Sequence, residues 1–240
     1  MRNDRQPTAP IRVLVVDDHP AVRAGVRCLL ADADDGVVAG EAADGRQAVA
    51  EAERRKPHVI LMDLRLPELA GVEATRRILA AQPEVAVVVL TSPDAEAEVL
   101  AAIEAGALGY VAKTAERTDF RDAVRRVARG EAWLPPDLTR TVLAHLRPHA
   151  GTVAVEPLTP REHEVLELLA RGSSNRKIAA RLGIAEITVR THVGHILGKL
   201  GVSNRVEAAL YALQRGLVPL KALEAGGPPA RELDGGAAAG

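Results

Sequence analysis

The stretch His58-Val59-Ile60-Leu61-Met62-Asp63-Leu64 decides how the chain is read. Its four consecutive apolar residues, Val59 to Met62, do not alternate with polar ones, the pattern of a short strand buried on both faces of a parallel sheet. A carboxylate, Asp63, follows at the carboxyl end, and Pro67 and Gly71 break the chain soon after. In open α/β sheets, ligands gather just beyond the carboxyl ends of the strands, so Asp63 stands where chemistry is expected.

Outward from this strand the segment 11–129 alternates. Further strands are expected at Ile11 to Val16, Val37 to Ala39, Val85 to Leu90 and Leu108 to Ala112. Helical spacing is expected at Pro20 to Leu30, Gly45 to Lys56, Gly71 to Ala81, Asp94 to Ala105 and Glu116 to Arg129. Five strands alternating with five helices need crossover connections, which gives a five-stranded, parallel, doubly wound, flavodoxin-like α/β domain over 11–129. Residues 130–156 contain Pro135, Pro136, Pro148 and Gly151 and read as a linker with one short helix near Leu138 to Leu146. From 157 to 218 the spacing is purely helical, a small all-α domain. Residues 1–10 and the Gly/Ala/Pro-rich 219–240 are expected to be disordered.

Composition narrows the class. The chain has 240 residues, enough for two ordinary domains, and a charged fraction of 26% with 47% hydrophobic residues, as in soluble globular proteins. No apolar run approaches the ~20 residues of a membrane span, and residues 1–10 lack a signal-peptide core. A single cysteine, Cys28, excludes an intrachain disulfide, so a cytoplasmic location is expected. Residues 11–129 carry 16 Lys and Arg against 20 Asp and Glu, a balance of −4. Residues 157–218 carry 9 against 5, a balance of +4, which points to the second domain as the one meeting nucleic acid.

Asp17 and Asp18 follow the first strand, Thr91 the fourth and Lys113 the fifth, so all converge on the edge that carries Asp63. Three converging carboxylates repel one another unless a cation sits among them, and oxygen ligands with room left for water and phosphate suit Mg²⁺. Such a metal shields Asp63 from an incoming phosphoryl group, while Thr91 and Lys113 donate to its oxygens. An aspartate is a competent nucleophile for forming an acyl phosphate.

Val15-Val16-Asp17-Asp18-His19-Pro20, Leu61-Met62-Asp63-Leu64-Arg65-Leu66-Pro67, Val89-Leu90-Thr91 and Gly109-Tyr110-Val111-Ala112-Lys113 together resemble the receiver domain of two-component response regulators. The resemblance implies that Asp63 takes phosphate from a sensor histidine kinase. It implies that Asp18 ligates Mg²⁺ directly and Asp17 mainly through water, with the backbone carbonyl of Arg65 completing the protein ligands. It makes Thr91 and Tyr110 a switch pair in which the hydroxyl moves to the phosphate and the ring swings inward. Ala70 and Pro93 depart from the family pattern.

In the helical domain, Thr159, Pro160 and Glu162 spell a capping box. Helices are expected from Glu162 to Arg171, then behind Ser173 or Ser174 up to Gly183, from about Glu186 to Leu200, and behind Asn204 with Glu207 as a second capping box. Two short helices joined at a glycine turn form a helix-turn-helix, whose second helix enters the major groove. On that helix Val189, Val193, Ile196 and Leu200 share the core face, and Arg190, Thr191, Gly194 and His195 share the opposite one. Arg190 is suited to guanine O6/N7 and Thr191 to a thymine methyl or polar edge. Thr188, His192 and Lys199 flank this face, and Arg176 and Lys177 precede it, as candidate phosphate contacts.

Leu158-Thr159-Pro160-Arg161-Glu162, Asn175-Arg176-Lys177-Ile178-Ala179, Thr188-Val189-Arg190-Thr191-His192-Val193 and Arg205-Val206-Glu207-Ala208 resemble the LuxR-type DNA-binding domain of the NarL/FixJ family. The resemblance implies promoter half-sites in double-stranded DNA, a homodimer when phosphorylated, and a last helix that carries the dimer contact through Arg205, Val206 and Ala209. In that family the unphosphorylated receiver can cover the recognition helix, and the sequence leaves open whether it does so here. Ala185 and Gly194 depart from the pattern, where a capping hydroxyl and a longer groove-facing side chain are usual.

The expected function is therefore a phosphorylation-switched transcription factor and not a turnover enzyme. One alternative is a Mg²⁺-dependent aspartyl-phosphate phosphatase, which needs a second acid two residues after the nucleophile. That position is Arg65, which cannot deliver a proton at neutral pH. Another is a regulator whose receiver works without phosphorylation.

Overall fold

The structure, a computed structural model, describes residues 10–31, 36–92, 95–134, 157–202 and 204–217. Strands β1 (Ile11–Val16), β2 (Gly36–Ala42), β3 (Val59–Met62), β4 (Ala86–Thr91) and β5 (Gly109–Ala112) form one parallel sheet in the order β2-β1-β3-β4-β5. Helices α1 (Pro20–Ala31), α2 (Gly45–Arg55), α3 (Gly71–Ala81), α4 (Glu96–Glu104) and α5 (Arg117–Ala128) supply the crossovers. The central β3 is fully buried at all four residues, worth roughly 1.5–3 kcal/mol for each large apolar side chain. Alternation along the strands then sends Ile60 and Met62 to one apolar layer with Ile78 and Ile103, and Leu61 to the other with Phe120 and Val124.

Most boundaries fall within two residues of expectation, and two stretches differ more. The edge strand β2 runs on past Ala39 to Ala42 and includes Glu41, because a half-exposed edge needs no apolar run. Residues 131–134 do not behave as linker. The Trp133 amide donates to the Leu108 carbonyl at 3.0 Å, the Tyr110 amide donates to the Trp133 carbonyl at 2.9 Å, and the indole is buried. This lays one residue beside β5 as a sixth rung. The expected linker helix, residues 1–9 and the 219–240 tail lie outside the described residues.

The second unit contains α6 (Pro160–Ala170), α7 (Asn175–Leu182), α8 (Glu186–Leu200) and α9 (Arg205–Gln214). Thr159 and Glu162 close a capping box on α6, and Ser174 caps α7. Gly183 ends α7 at φ 66, the left-handed conformation a glycine adopts without strain. Ala185 opens α8 with no side-chain cap. Asn204 caps α9: its Oδ1 accepts from the amides of Val206 and Glu207, both at 3.0 Å, and its Nδ2 donates to Glu207 Oε1. Val165, Leu166, Ile178, Val189, Ile196 and Ala212 fill the core. The two units meet at α9: Val206 and Leu210 are buried in the same apolar layer as Ile103 of α4 and Leu134.

Candidate functional site

Register builds the acidic edge. Val16 pairs with Met62, so the next residues, Asp17 and Asp63, leave the sheet side by side. Their amides prolong the ladders by one bond each, Asp63 N to the Val16 carbonyl at 2.9 Å and Asp17 N to the Ala42 carbonyl at 3.1 Å. Asp17 is completely buried, and Asp63 and Thr91 are 2% exposed. Thr91 closes β4 opposite Ala112, and its carbonyl accepts from the Lys113 amide at 3.0 Å. The sheet thus delivers Lys113 beside the two carboxylates.

Lys113 Nζ lies 2.7 Å from Asp63 Oδ2 and 2.8 Å from Asp17 Oδ2. Burial pushes this ammonium toward neutrality, but the hydrogen bonds and charges of Asp17 and Asp63 outweigh it and raise its pKa above the usual 10.5. Lys113 is therefore cationic at neutral pH and offsets the repulsion between the two acids.

Asp18 sits one residue outward and turns to His19, whose Nδ1 is 2.6 Å from Asp18 Oδ1. The His19 amide donates to Asp17 Oδ1 at 2.8 Å. Asp17, Asp18 and His19 each offer a ligand atom within 4.8 Å of the others. Arg23 steadies this loop by donating to the Asp17 carbonyl at 2.7 Å while pairing with Glu41 at 3.1 Å. Neither His19 nor Arg23 stands out in the sequence as part of the site.

The loop after β3 folds back tightly. A Cβ at Gly71 would stand 2.0 Å from the Asp63 carbonyl oxygen, and the Gly71 amide donates to the Leu64 carbonyl at 3.0 Å, so only glycine fits there. The Arg65 amide is 3.4 Å from Asp63 Oδ1, and its guanidinium pairs with Glu98 at 3.1 Å. Tyr110 is half-buried on β5, against the layer that holds Ile103.

The groove-facing side of α8 is open. Arg190, Thr191, Gly194, His195 and Thr188 are exposed, and His192 is half-buried on the flank. Arg190 pairs with Glu186 one turn back at 3.2 Å, and the Thr191 hydroxyl donates to the Ile187 carbonyl at 3.2 Å. Nothing lies within 4 Å of a Cβ built at Gly194 or Gly198, so the helix surface is flat there. Ile187 completes the same stripe, one turn before Arg190 and Thr191. At 67% it is the most exposed large aliphatic side chain among the described residues. The polar reading of this face passed over it.

Two expected phosphate contacts meet a different geometry. Lys199, placed on the phosphate flank, is spent on Glu162 at 2.9 Å. That bond and the Thr159 amide hold Glu162 at about 2, far below 4.5. Lys177 points to the receiver and pairs with Glu131 at 2.7 Å, while Arg176 is exposed. The recognition helix is not covered. What the receiver covers is α9, where Val206 is 4% and Leu210 2% exposed in its apolar layer and Arg205 is half-buried beside Gly130, while Ala209 is buried in the helical unit's own core.

An acid-and-lysine edge on a doubly wound sheet, followed by a helix-turn-helix, defines a two-domain response regulator. Residues 13–125 match the response regulator receiver domain, and residues 156–212 match the bacterial regulatory proteins of the luxR family. The response regulator protein VraR of Staphylococcus aureus is 42% identical over 208 residues, spanning 87% of this chain and 99% of VraR. A structure of the RcsB response regulator of Salmonella typhimurium is 28% identical over 85% of this chain and 99% of its own, with a TM-score of 0.52. A structure of two RcsB dimers bound to two parallel DNAs is 27% identical over 85% of this chain and 98% of its own, with a TM-score of 0.51. The chain belongs to the LuxR-type response regulators of two-component systems, DNA-binding transcription regulators switched by phosphorylation.

Proposed function

We propose that Asp63 is the phosphoryl acceptor and that a sensor histidine kinase is the donor. The observation that carries this is the placement of Asp63 and Asp17 at one level of the sheet with the Lys113 ammonium between them. An Asp63 oxygen attacks phosphorus, the bond to the donor's histidine nitrogen breaks, and the acyl phosphate remains on the chain. Lys113 then moves its donation to phosphoryl oxygens, and Thr91, already at the end of β4, supplies the hydroxyl that senses the group. Tyr110, on the neighbouring strand, follows it. The chain accepts one group and does not turn over.

The donor set fits Mg²⁺. Asp17, Asp18 and Asp63 bring three carboxylates against one ammonium, and hard oxygen ligands suit that ion. Asp17, Asp18, Asp63 and the Arg65 carbonyl would hold it. When bound, it supplies charge neutralisation for phosphoryl transfer to a carboxylate.

The partner of the second domain is promoter DNA in half-sites. Arg190 gives up its Glu186 for guanine, Thr191 and Ile187 meet thymine methyls, and flat Gly194 lets the helix lie deep in the groove. Arg176, Thr188, His192 and His195 are left for phosphates. A homodimer through α9 presents two such helices, and a cytoplasmic location suits both partners. No helix among the described residues is long and apolar enough to cross a membrane.

The test compares wild type with Asp63→Asn, each with and without an acyl phosphate and Mg²⁺, on genomic promoter fragments. Wild type gains DNA affinity on treatment, and Asp63→Asn keeps only the weak untreated affinity. Equal affinity of treated and untreated wild type would overturn the switch.

A further inference from the structure

Glu131 lies just past α5, outside both functional sites, and is 3% exposed. Its carboxylate gathers cations from both units. Arg126 Nε is at 3.3 Å and Arg129 Nε at 3.5 Å, from the receiver, and Lys177 Nζ is at 2.7 Å, from α7. The two arginines compensate the buried acid within the receiver. Lys177, whose side chain is 61% exposed, ties it to the other unit.

Two residues stand beside this tie, and the second, Asn204, adds bonds across to the receiver. Arg205 donates to the Ser173 carbonyl at 2.9 Å and Asn175 Oδ1 at 3.2 Å, with its guanidinium 3.3 Å from where a Gly130 Cβ would stand. Burial lowers Arg205 to about 10, Glu131 opposes the fall, and the side chain stays charged at neutral pH. Asn204, the cap of α9, donates from Nδ2 to the carbonyls of Ile103 and Glu104, both at 3.2 Å, and so satisfies the open end of α4. Behind these bonds a small apolar cavity remains between Leu134, Leu169, Val206, Ala209 and Leu210, so the face is closed but not tightly filled.

The same segment is fastened to the strand that carries Tyr110. Trp133 is hydrogen-bonded to β5 on both sides of Gly109, and Glu131 is two residues before it. A shift of β5 at Tyr110 therefore pulls on Trp133 and on Glu131.

Building on the phosphorylation-switched reading, we propose that Glu131 is the latch by which the receiver holds α9 closed. Lys177 on Glu131 and Asn204 on α4 keep Val206 and Leu210 under Leu134, where a second copy of this chain cannot reach them. The face of α8 stays open throughout. Phosphorylation thus gates dimerisation and not base contact, and the closed monomer touches a single half-site.

The test uses the unphosphorylated full-length chain, with hydrogen exchange of the α9 amides and sedimentation equilibrium. Lys177→Ala speeds exchange roughly threefold, the effect of losing a half-exposed pair. Lys177→Glu sets like charges together, speeds exchange about tenfold or more and tightens the dimer by a similar factor. Glu131→Gln added to Lys177→Glu removes the repulsion and returns exchange toward the wild-type rate. Unchanged α9 exchange in Lys177→Glu, or no recovery in the double variant, overturns the latch. A parallel sample of wild type with acetyl phosphate and Mg²⁺ keeps the two readings apart. If it takes up no phosphoryl group, the switch fails, while the exchange comparison still decides the latch.

Discussion

At the acidic edge of the sheet, Asp17, Asp63 and Thr91 are buried and Lys113 is held between two carboxylates. On α8, Ile187, Arg190, Thr191 and His195 face solvent, and among the described residues Arg190 is tied to a glutamate on its own helix. The first site is assembled by folding and shaped before any ligand arrives. The second is a surface whose bonds are local, weak and ready to be exchanged for DNA. A change at the edge therefore disturbs the fold and the chemistry together, whereas a change on α8 alters recognition alone.

That contrast can be broken by experiment, and Lys113→Met has the largest expected effect. It leaves Asp17 and Asp63 buried without their cation, a loss of roughly 3–5 kcal/mol of stability in chemical denaturation. Arg190→Ala should leave stability within about 0.5 kcal/mol. In binding assays on a selected site it should lose roughly 1–3 kcal/mol of discrimination at one guanine. Ile187→Ala should lose about 1 kcal/mol or less, confined to sites with thymine at the contacted step.

Smaller effects sharpen the picture of α8 itself. Ala185→Ser supplies the missing cap and should stabilise the domain by about 1 kcal/mol, read as a raised melting midpoint with DNA specificity unchanged. Glu162 gives a signed effect, read against pH. Its folded pKa, about 2, lies below the usual 4.5, so its contribution is present above pH 4.5 and fades as the pH falls toward 2. Glu162→Gln should flatten the melting midpoint across that window. An unchanged slope would mean that Lys199 is not held as the structure shows.

The parts that sequence made legible share a local cause. The apolar run Val59 to Met62 with its terminal acid, the capping box at Thr159 and the core stripe Val189, Val193 and Ile196 each follow from spacing within one element. The contact between the two units left no such trace. Glu131 and Lys177 are 46 residues apart and Asn204 is about 100 from Ile103, so no period joins them. Lys177 therefore reads as a phosphate contact, and Trp133 sits in a stretch whose prolines suggest a linker. Ile187 escaped because attention to the polar residues of that face hides an outward apolar one.

The most direct test of the central claim is mass spectrometry of the intact chain, followed by peptide mapping, after exposure to acetyl phosphate and Mg²⁺. The account predicts one added phosphoryl group, located at Asp63 and absent from Asp63→Asn. Wild-type protein with no added mass, or with the group on another residue, would contradict it.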